Sequence, residues 1–252
     1  NLNLDDVMKF YEKYYAPNNA IIVICGDVNL DDVVKIAKKY FGPIKPSKIE
    51  KRAWTNEPTQ HAPRKITLNS KNTAIPVFQR HYLVPTYTKS KKESLTLEVF
   101  SEIFGNSSTG MLFDEFVKSK KLATSASAYY YPDGFGHTSF TISIIPKKNV
   151  SLEEIEIYLD EYLNKIKKKI FNKEELQKIK KRLVNDTIFA QDSLYMGMRI
   201  FGSSLTTGYS LKEINNWPND IAKVSIDDLE TYIPNIFNKK NSVTGYLLPI
   251  KE

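Results

Sequence analysis

The spacing of apolar and polar positions near the start of the chain predicts two helices around one strand. A polar cap at Asn3 and the apolar spacing after it predict a helix to about residue 14. The β-branched run Ile21–Cys25 predicts a buried strand, and residues 33–41 have the spacing of a second helix that ends at Gly42. No other strand is predicted in this part, so the strand at Ile21–Cys25 has no predicted neighbour.

A longer second part follows a predicted linker. Residues 46–64 contain several prolines and charges with little periodicity, which is typical of a linker. Residues 65–69 and 74–84 alternate as strands do, and a capping box from Ser90 to Glu93 begins a helix. The second part therefore begins with two strands and a helix.

The rest of the second part predicts a hairpin, more helices and a last strand. Residues 122–131 and 138–146 are strand-like, and the sequence PDGFGH between them predicts an antiparallel hairpin. The remaining predicted elements are a short helix near 112–118, helices from Ser151 to about Lys168, from Asn172 to about Ile200 and over 226–236, and a strand over 243–248. These elements predict an α/β (α+β) fold with a mainly antiparallel sheet.

Composition is that of a globular chain. The 252 residues are 41% hydrophobic and 12% aromatic, which favours one or two domains with packed cores over disorder. The single cysteine, Cys25, excludes an internal disulfide framework, and the apolar stretches are too short to span a bilayer. The chain begins with Asn1 rather than Met, which leaves open that an upstream segment has been removed.

The net charge of +7 is concentrated in lysine-rich stretches at 118–121 and 165–183. In the second stretch, apolar positions recur at helical spacing between the lysines, which is typical of a solvated helix face. The sequence contains no recognised nucleic-acid-binding module. We therefore expect no nucleic-acid partner, and a basic module for nucleic acid or an acidic surface is the weakest of the hypotheses.

The two ends of the chain resemble each other. The sequence LNLDDVMKFYEKYYAPNNAIIVICGDV at 2–28 aligns without a gap with VSIDDLETYIPNIFNKKNSVTGYLLPI at 224–250, at an offset of 222 residues. A cap, an amphipathic turn, an Asn-containing turn and an apolar strand recur in the same order. This repeat indicates a duplicated domain. We expect residues 1–45 to be the tail of a first, mostly absent domain and residues 65–252 to be a complete second domain.

These stretches resemble the insulinase/pitrilysin-type zinc metallopeptidases, which include the mitochondrial processing peptidases. The resemblance rests on FYEKYYAPNNAIIVICGDVNLDDVVKIAKKYFGPI at 10–44, SSTGMLFDEFVKSKKLA at 107–123 and the repeat at 224–249. It implies a duplicated processing-peptidase-like domain in which helices pack on one side of the sheet. It also implies that two half-shells of such domains enclose a chamber for a peptide or an unfolded polypeptide.

The resemblance implies that zinc binds outside this chain. Family members hold zinc with an inverted motif, His-x-x-Glu-His, and a distant Glu, which leave one zinc position open for water. The histidines of this chain, His61, His81 and His137, do not have that spacing. We therefore expect no catalytic residue, no metal ligand and no cofactor in this chain, and zinc only if the upstream domain carries the motif.

A second family feature falls on Val117 and Thr124. The non-zinc domain of the family presents an Arg and a Tyr to the substrate in a pattern like Leu-Phe-x-x-x-Arg-x-x-x-x-Leu-x-Tyr, whose frame LFDEFVKSKKLAT matches. Val117 stands at the Arg position and Thr124 at the Tyr position. We predict both as substrate-binding positions, in a domain that lacks the cation and the phenol that stabilise a tetrahedral oxyanion.

The sequence GNSSTGM at 105–111 has the glycine spacing of a phosphate loop. A helix rather than a strand is predicted before it, and Met111 stands at the lysine position. Both facts contradict the phosphate-loop mechanism. We therefore interpret this segment as a tight turn between two helices and do not expect nucleotide binding.

The resemblance leaves two functional hypotheses. In the first, the chain is the non-catalytic C-terminal domain of a zinc peptidase-like protein, part of a peptide-enclosing chamber, with the upstream first domain as its partner. In the second, it belongs to a homodimer or a heterodimer with a related subunit, as the zinc-side subunit or as a non-catalytic scaffold. The bacterial periplasm and the cytoplasm are both open as compartments, with the periplasm favoured.

Overall fold

The computed structural model of the protein describes residues 2–50, 58, 60–105, 108–190 and 192–250. Residues 51–57 and 59 of the predicted linker therefore lie outside the described residues. The chain divides into two compact units. Unit 1 comprises Asn1–Thr55 and Thr187–Ile214, and unit 2 comprises Asn56–Asp186 and Asn215–Glu252.

The described residues form helices and strands in a mixed order. The helices are α1 (Leu4–Tyr14), α2 (Leu30–Phe41), α3 (Lys91–Gly105), α4 (Met111–Phe113), α5 (Leu152–Ile166), α6 (Lys173–Ala190), α7 (Leu194–Thr206), α8 (Leu211–Lys223) and α9 (Ile226–Ile236). The strands are β1 (Arg64–Ser70), β2 (Val77–Pro85), β3 (Ala123–Tyr130), β4 (His137–Pro146) and β5 (Ser242–Pro249). Short 3-10 turns cover Pro17–Asn19 and Lys239–Asn241, and a π-helical turn covers Asp114–Ser119.

The five strands described in unit 2 form one sheet in the order β1-β5-β2-β4-β3. β1 runs parallel to β5, and the other neighbours are antiparallel. The predicted hairpin is confirmed, since β3 and β4 pair across the PDGFGH turn. Gly136 in that turn has a φ of 87°, which glycine adopts without steric cost. The predicted α+β fold with a mainly antiparallel sheet is confirmed.

Helices α3, α5 and α9 pack against one face of this sheet and enclose its core. Buried residues alternate with less buried ones along β2, so one side of this strand faces the helices. Phe237, which follows α9, contacts the rings of Tyr82, Phe100, Phe104 and Phe140 at centroid distances of 5.3 to 6.0 Å. This packing confirms the expected arrangement with helices on one side of the sheet.

A buried ion cluster joins α5 to the sheet. Arg80 of β2 is fully buried, and its guanidinium donates to Glu156 (2.7 Å), to Asp160 and to Thr244 Oγ1 (3.0 Å). Burial acts to raise the pKa of Glu156, but hydrogen bonds, led by that from Lys65, and the charge of Arg80 hold the pKa at about 2. Paired carboxylates satisfy the buried cation, so the cluster fixes α5 beneath β2.

A second buried polar contact joins α3 to α8. Glu98 Oε2 accepts a hydrogen bond of 2.9 Å from Trp217 Nε1. Glu98 Oε1 is inaccessible to solvent and has no hydrogen-bond partner among the described residues. Burial raises the pKa of Glu98 to about 7, and the charge of Asp133 acts in the same direction. The carboxyl group of Glu98 is therefore poised to titrate near neutral pH.

Unit 1 differs from the prediction at its strand. Asn3 forms the predicted cap of α1, in a capping box with Asp6 (3.0 Å), yet neither α1 nor α2 contains a buried residue. Residues 20–25 have no regular secondary structure, so the strand predicted at Ile21–Cys25 is wrong for this structure. No described strand lies beside this segment, and a strand needs a neighbour to pair its N–H and C=O groups.

The structure also corrects one predicted helix and adds another. The predicted helix from Asn172 to Ile200 is two helices, α6 and α7, and Ser193 caps the second by accepting from Met196 N at 3.4 Å. Helix α8 was not predicted. It contains Pro218, which normally ends a helix because proline lacks the N–H and clashes with the preceding turn.

Candidate functional site

The sheet face of unit 2 that lies opposite α3, α5 and α9 is mostly polar on β3 and β4, whereas Leu83 of β2 and Ile66 and Leu68 of β1 are exposed apolar residues on the same face. Along β2, β3, β4 and β5 the side chains on this face alternate with the buried ones, whereas β1 has no buried residue. We call the following set the open face: Gln79 and His81 of β2, Ser125, Ser127 and Tyr129 of β3, Ser139, Thr141 and Ser143 of β4, and Val243, Gly245 and Leu247 of β5. All of them are partly exposed except Thr141, which is buried.

Strand register aligns the open face in rows that run across β5, β2, β4 and β3. Hydroxyl and amide groups both donate and accept hydrogen bonds, so each row offers a ligand a choice of polar contacts. One row is Gly245, Gln79, Ser143 and Ser127, and the next is Val243, His81, Thr141 and Tyr129.

His81 is the titratable group in the middle of the open face. Its Nδ1 lies 2.9 Å from Thr141 Oγ1 on the neighbouring strand. Burial lowers the pKa of His81 below its ordinary value of 6.5, because an enclosed imidazole loses hydration when it becomes charged. At neutral pH the ring is therefore uncharged and acts as a hydrogen-bonding group rather than as a cation.

The open face ends at β3, an edge strand of the sheet. β3 pairs with β4 on one side, and no described strand pairs with its other side. An unpaired edge presents backbone N–H and C=O groups that can add an extended peptide as a further strand. Gly105 at the end of α3 also packs on β3, since a Cβ there would collide with the Ala128 carbonyl.

The structure places the two predicted substrate-binding positions on either side of one short connection. Val117 lies in the π-helical turn Asp114–Ser119 and is partly exposed. Thr124 lies at an irregularity in β3, is exposed, and donates to the Ile145 carbonyl at 3.2 Å. Lys118, beside Val117, forms an ion pair of 2.7 Å with Asp114. Whether Val117 and Thr124 contact a substrate stays a prediction.

The sequence predicts a strand at 122–131 that includes the tyrosines at the end of β3, and predicts that this strand holds an extended peptide by backbone pairing, but it does not single out the hydroxyl rows of the open face. The rings of Tyr129 and Tyr131 lie 5.5 Å apart, and Tyr131 is 66% exposed. The signal was present in the alternating hydroxyls of TSASAYY and HTSFTISI. An aromatic pair at a strand end offers apolar contact beside the polar rows.

The described residues do not fit a zinc site. His61 and His137 are exposed, and His81 is engaged with Thr141. Across the described ranges, no group of three or more His, Cys, Asp or Glu side chains is placed to hold a metal ion. No chemical step through zinc follows from this chain.

The glycine-spaced segment lies between two helices. Gly105 is the last residue of α3, and α4 begins at Met111. Residues 106 and 107 of GNSSTGM lie outside the described residues.

A family model gives the chain its place among known proteins. The model of the peptidase M16 inactive domain matches residues 1–183. This chain belongs to the peptidase M16 inactive domain family. The resemblance to insulinase-type zinc peptidases is therefore confirmed, and the chain is part of a relative of zinc proteases.

A curated relative of this M16 domain is the zinc protease PqqE of Helicobacter pylori, which is 25% identical over 253 aligned residues. The alignment covers 99% of this chain and 56% of that protein. The chain thus spans little more than half the length of the relative that it matches.

Solved structures share the fold of this M16 domain. A protease from Helicobacter pylori matches with a TM-score of 0.86 and 25% identity, over 99% of this chain and 59% of that one. The first half of the periplasmic protease PqqL from Escherichia coli matches with a TM-score of 0.73 and 16% identity, over 98% and 55% of the two chains. Within the described residues, no helix has the length and apolar character needed to cross a membrane.

Proposed function

We propose that this M16 domain forms a non-catalytic wall of a peptide-enclosing chamber, with peptide or unfolded polypeptide as its ligand. The observation that carries the proposal is that the open face, whose side chains on β3 and β4 are polar and, apart from Thr141, partly exposed, adjoins an edge of β3 that no described strand pairs with. A mainly antiparallel sheet commonly leaves one polar face to solvent, so the unpaired edge beside the open face is what favours a peptide ligand here. A polar face beside a free edge suits an extended chain.

Backbone pairing at β3 would hold such a chain with little dependence on its sequence. Main-chain hydrogen bonds supply affinity, and alternate side chains meet the surface beside the edge strand. The hydroxyls of Ser125 and Ser127 and the ring of Tyr129 alternate along that strand. Substrate choice would therefore be broad and would depend on the size and charge of the chamber.

Zinc chemistry in this proposal belongs to residues outside the chain. The described histidines do not fit the metal, and the chain covers only part of its zinc-protease relatives. An upstream domain with His-x-x-Glu-His would supply metal, base and bound water. Without that motif, the protein would be a scaffold.

A second candidate function is a subunit of a two-subunit peptidase, in a homodimer or a heterodimer, either as the zinc-side subunit or as a non-catalytic scaffold. The observation that favours it is the absence of cation and phenol at Val117 and Thr124. Such a subunit would need a partner that supplies the missing groups.

Binding of an unfolded polypeptide to the full-length protein tests the chamber wall. The probe is fluorescein-labelled, reduced and carboxymethylated lactalbumin, followed by fluorescence anisotropy. Ser127→Arg places a long charged side chain in the middle of the open face, so we expect affinity to fall at least about tenfold, or about 1.4 kcal/mol.

The matched control is Asn164→Arg, which adds the same side chain to an exposed position on α5, in the helical layer. It should leave the affinity unchanged. Equal affinities for both variants, with both proteins folded, would exclude the open face as the binding surface.

A further inference from the structure

The two ends of β3 carry different chemistry. The strand begins beside a group of lysines and ends at tyrosines. We call the following set the lysine cluster: Lys118, Lys120 and Lys121 before β3, and Lys147 and Lys148 after β4. The two segments lie side by side, because Lys147 N donates to the Leu122 carbonyl at 2.9 Å. The lysine cluster therefore lies at one end of the edge that adjoins the open face.

The acidic side chains next to the lysine cluster in sequence are mostly engaged. Asp114 pairs with Lys118 at 2.7 Å, and Glu115 accepts from a tyrosine hydroxyl. Glu154 completes the capping box of α5, which leaves Glu153 as an exposed acid. The other four lysines of the cluster form no ion pair within the part of the chain that the structure describes. Their charge is therefore available to an anionic ligand.

The backbone holds the lysine cluster against the start of β3. Leu122 N donates to the Phe116 carbonyl in the π-helical turn at 2.9 Å, so this N–H is already used and the free edge begins beyond it. Lys121 has a φ of 55°, in the left-handed region that favours glycine. Glycine would relieve this strain but would remove a charge from the end of the edge.

The other end of β3 is aromatic. The Tyr129 and Tyr131 rings face each other at 5.5 Å, and the segment 129–138 contains Asp133 but no lysine or arginine. At about 3.3 Å per residue, Ser125 and Tyr131 lie roughly 20 Å apart along the strand. An extended peptide of about seven residues would therefore span both ends.

We propose that the free edge of β3 selects extended peptides that carry acidic residues at one end and an aromatic residue at the other. The acidic side chains would lie at the lysine cluster, and the aromatic one would lie at Tyr129 and Tyr131. Clustered ammonium groups attract carboxylates, and tyrosine rings offer apolar contact. This inference rests on the proposed function, because it needs a peptide at the open face and its edge.

The direction of β3 gives the order of the two ends in the peptide. Antiparallel pairing is slightly more stable per residue than parallel pairing. β3 starts at the lysine cluster, so an antiparallel peptide places its aromatic residue first and its acidic residues about six positions later. This order separates selection at the edge from general attraction of anions to a basic surface.

Fluorescence anisotropy with labelled peptides and the full-length protein tests the inference. The acidic peptide has a tyrosine, a Ser/Thr spacer and two aspartates in that order. The lysine peptide has two lysines in place of the aspartates, and the reversed peptide has the acidic peptide's residues in the opposite order. We expect the acidic peptide to bind at least about tenfold more tightly than either of the others at about 20 mM salt, and its advantage over the lysine peptide to shrink at about 200 mM as the charges are screened.

Charge reversal locates the effect on the protein. Lys120→Glu with Lys148→Glu reverses two exposed charges of the lysine cluster, and we expect at least about a tenfold loss of affinity for the acidic peptide. The matched control, Lys168→Glu with Lys178→Glu, makes the same charge change at exposed positions outside the cluster. It should leave this affinity unchanged. Circular dichroism confirms that both variants are folded.

Three results would overturn the inference: equal affinities for the acidic and lysine peptides, equal affinities for the acidic and reversed peptides, or equal losses in the two double variants. Any of these, with Ser127→Arg still weakening the binding of unfolded lactalbumin, would reject the selection of acidic peptides alone. If Ser127→Arg leaves lactalbumin binding unchanged, the proposed function fails as well.

Discussion

At the scale of single residues, Glu98 should make stability depend on pH. Its pKa lies at about 7 in the folded protein, above the ordinary value of 4.5. A raised carboxyl pKa stabilises the fold fully below pH 4.5, and this contribution is lost as the pH rises through about 7. The shift corresponds to about 3 kcal/mol as an upper bound. Urea unfolding of the native protein should therefore show lower stability at about pH 8 than at about pH 5.

The variant Glu98→Gln isolates this effect, because glutamine does not titrate. We expect its unfolding free energy to fall less between the two pH values than that of the native protein. Glu153→Gln is the control, since Glu153 is exposed on α5. If Glu98→Gln has the same pH dependence as the native protein, ionisation of Glu98 does not destabilise the fold and the prediction is wrong.

A double substitution at Val117 and Thr124 tests whether these are substrate-binding positions that have lost the family's Arg and Tyr. Val117→Arg with Thr124→Tyr restores the family pattern in the full-length protein. If Val117 and Thr124 occupy the positions of a lost Arg and Tyr, cleavage of an unfolded peptide should rise in this variant. A cation and a phenol would then be available to a developing oxyanion. Unchanged cleavage would leave both positions as ordinary surface and packing residues.

At the scale of elements, the two copies of the repeat should respond differently to the same truncation. Leu229→Ala in α9 removes a fully buried side chain and should cost about 2–5 kcal/mol of unfolding free energy. Val7→Ala at the equivalent position of α1 should change the stability of the 252-residue chain by no more than about 0.5 kcal/mol. Urea unfolding measures both, and equal losses would contradict the burial difference.

Local signals predict most elements of unit 2. The capping box at Ser151 and the PDGFGH turn depend on residues close in sequence, so α5 and the β3–β4 hairpin are predicted near their observed bounds. Arg80 is different. Its burial depends on Glu156 and Asp160, which lie 76 and 80 positions away. No local pattern reveals that pairing. The open face likewise cannot be predicted without knowing the order of the strands in the sheet.

In unit 1, a local pattern predicts a strand that the structure does not form. The run Ile21–Cys25 has the composition of a strand, but strand formation also needs neighbours. Propensity reports what a segment can form, and the described part of the chain supplies no strand beside it. The repeat alone, read at both ends, links this segment to β5.

At the scale of the whole molecule, the 252-residue chain should neither bind zinc tightly nor cleave peptides. Tight zinc binding needs three or four converging ligands, and the described residues contain no such group. Isothermal titration with zinc and a peptide-cleavage assay with and without chelator measure both properties. Chelator-sensitive cleavage by this chain alone would place an active site within it.

The position of β5 in the sheet also constrains how the protein is made. β5 pairs with both β1 and β2, and a hydrogen bond of 2.8 Å joins Gln60 to Ser242, 182 positions along the chain. Among the described strands only β5 pairs with β1, so during synthesis β1 waits for β5 to emerge. Contacts between such distant segments form slowly, and unpaired edges invite aggregation meanwhile. A ribosome-stalled chain that ends before Ser242 should thus leave β1 sensitive to protease, and release of the whole chain should protect it.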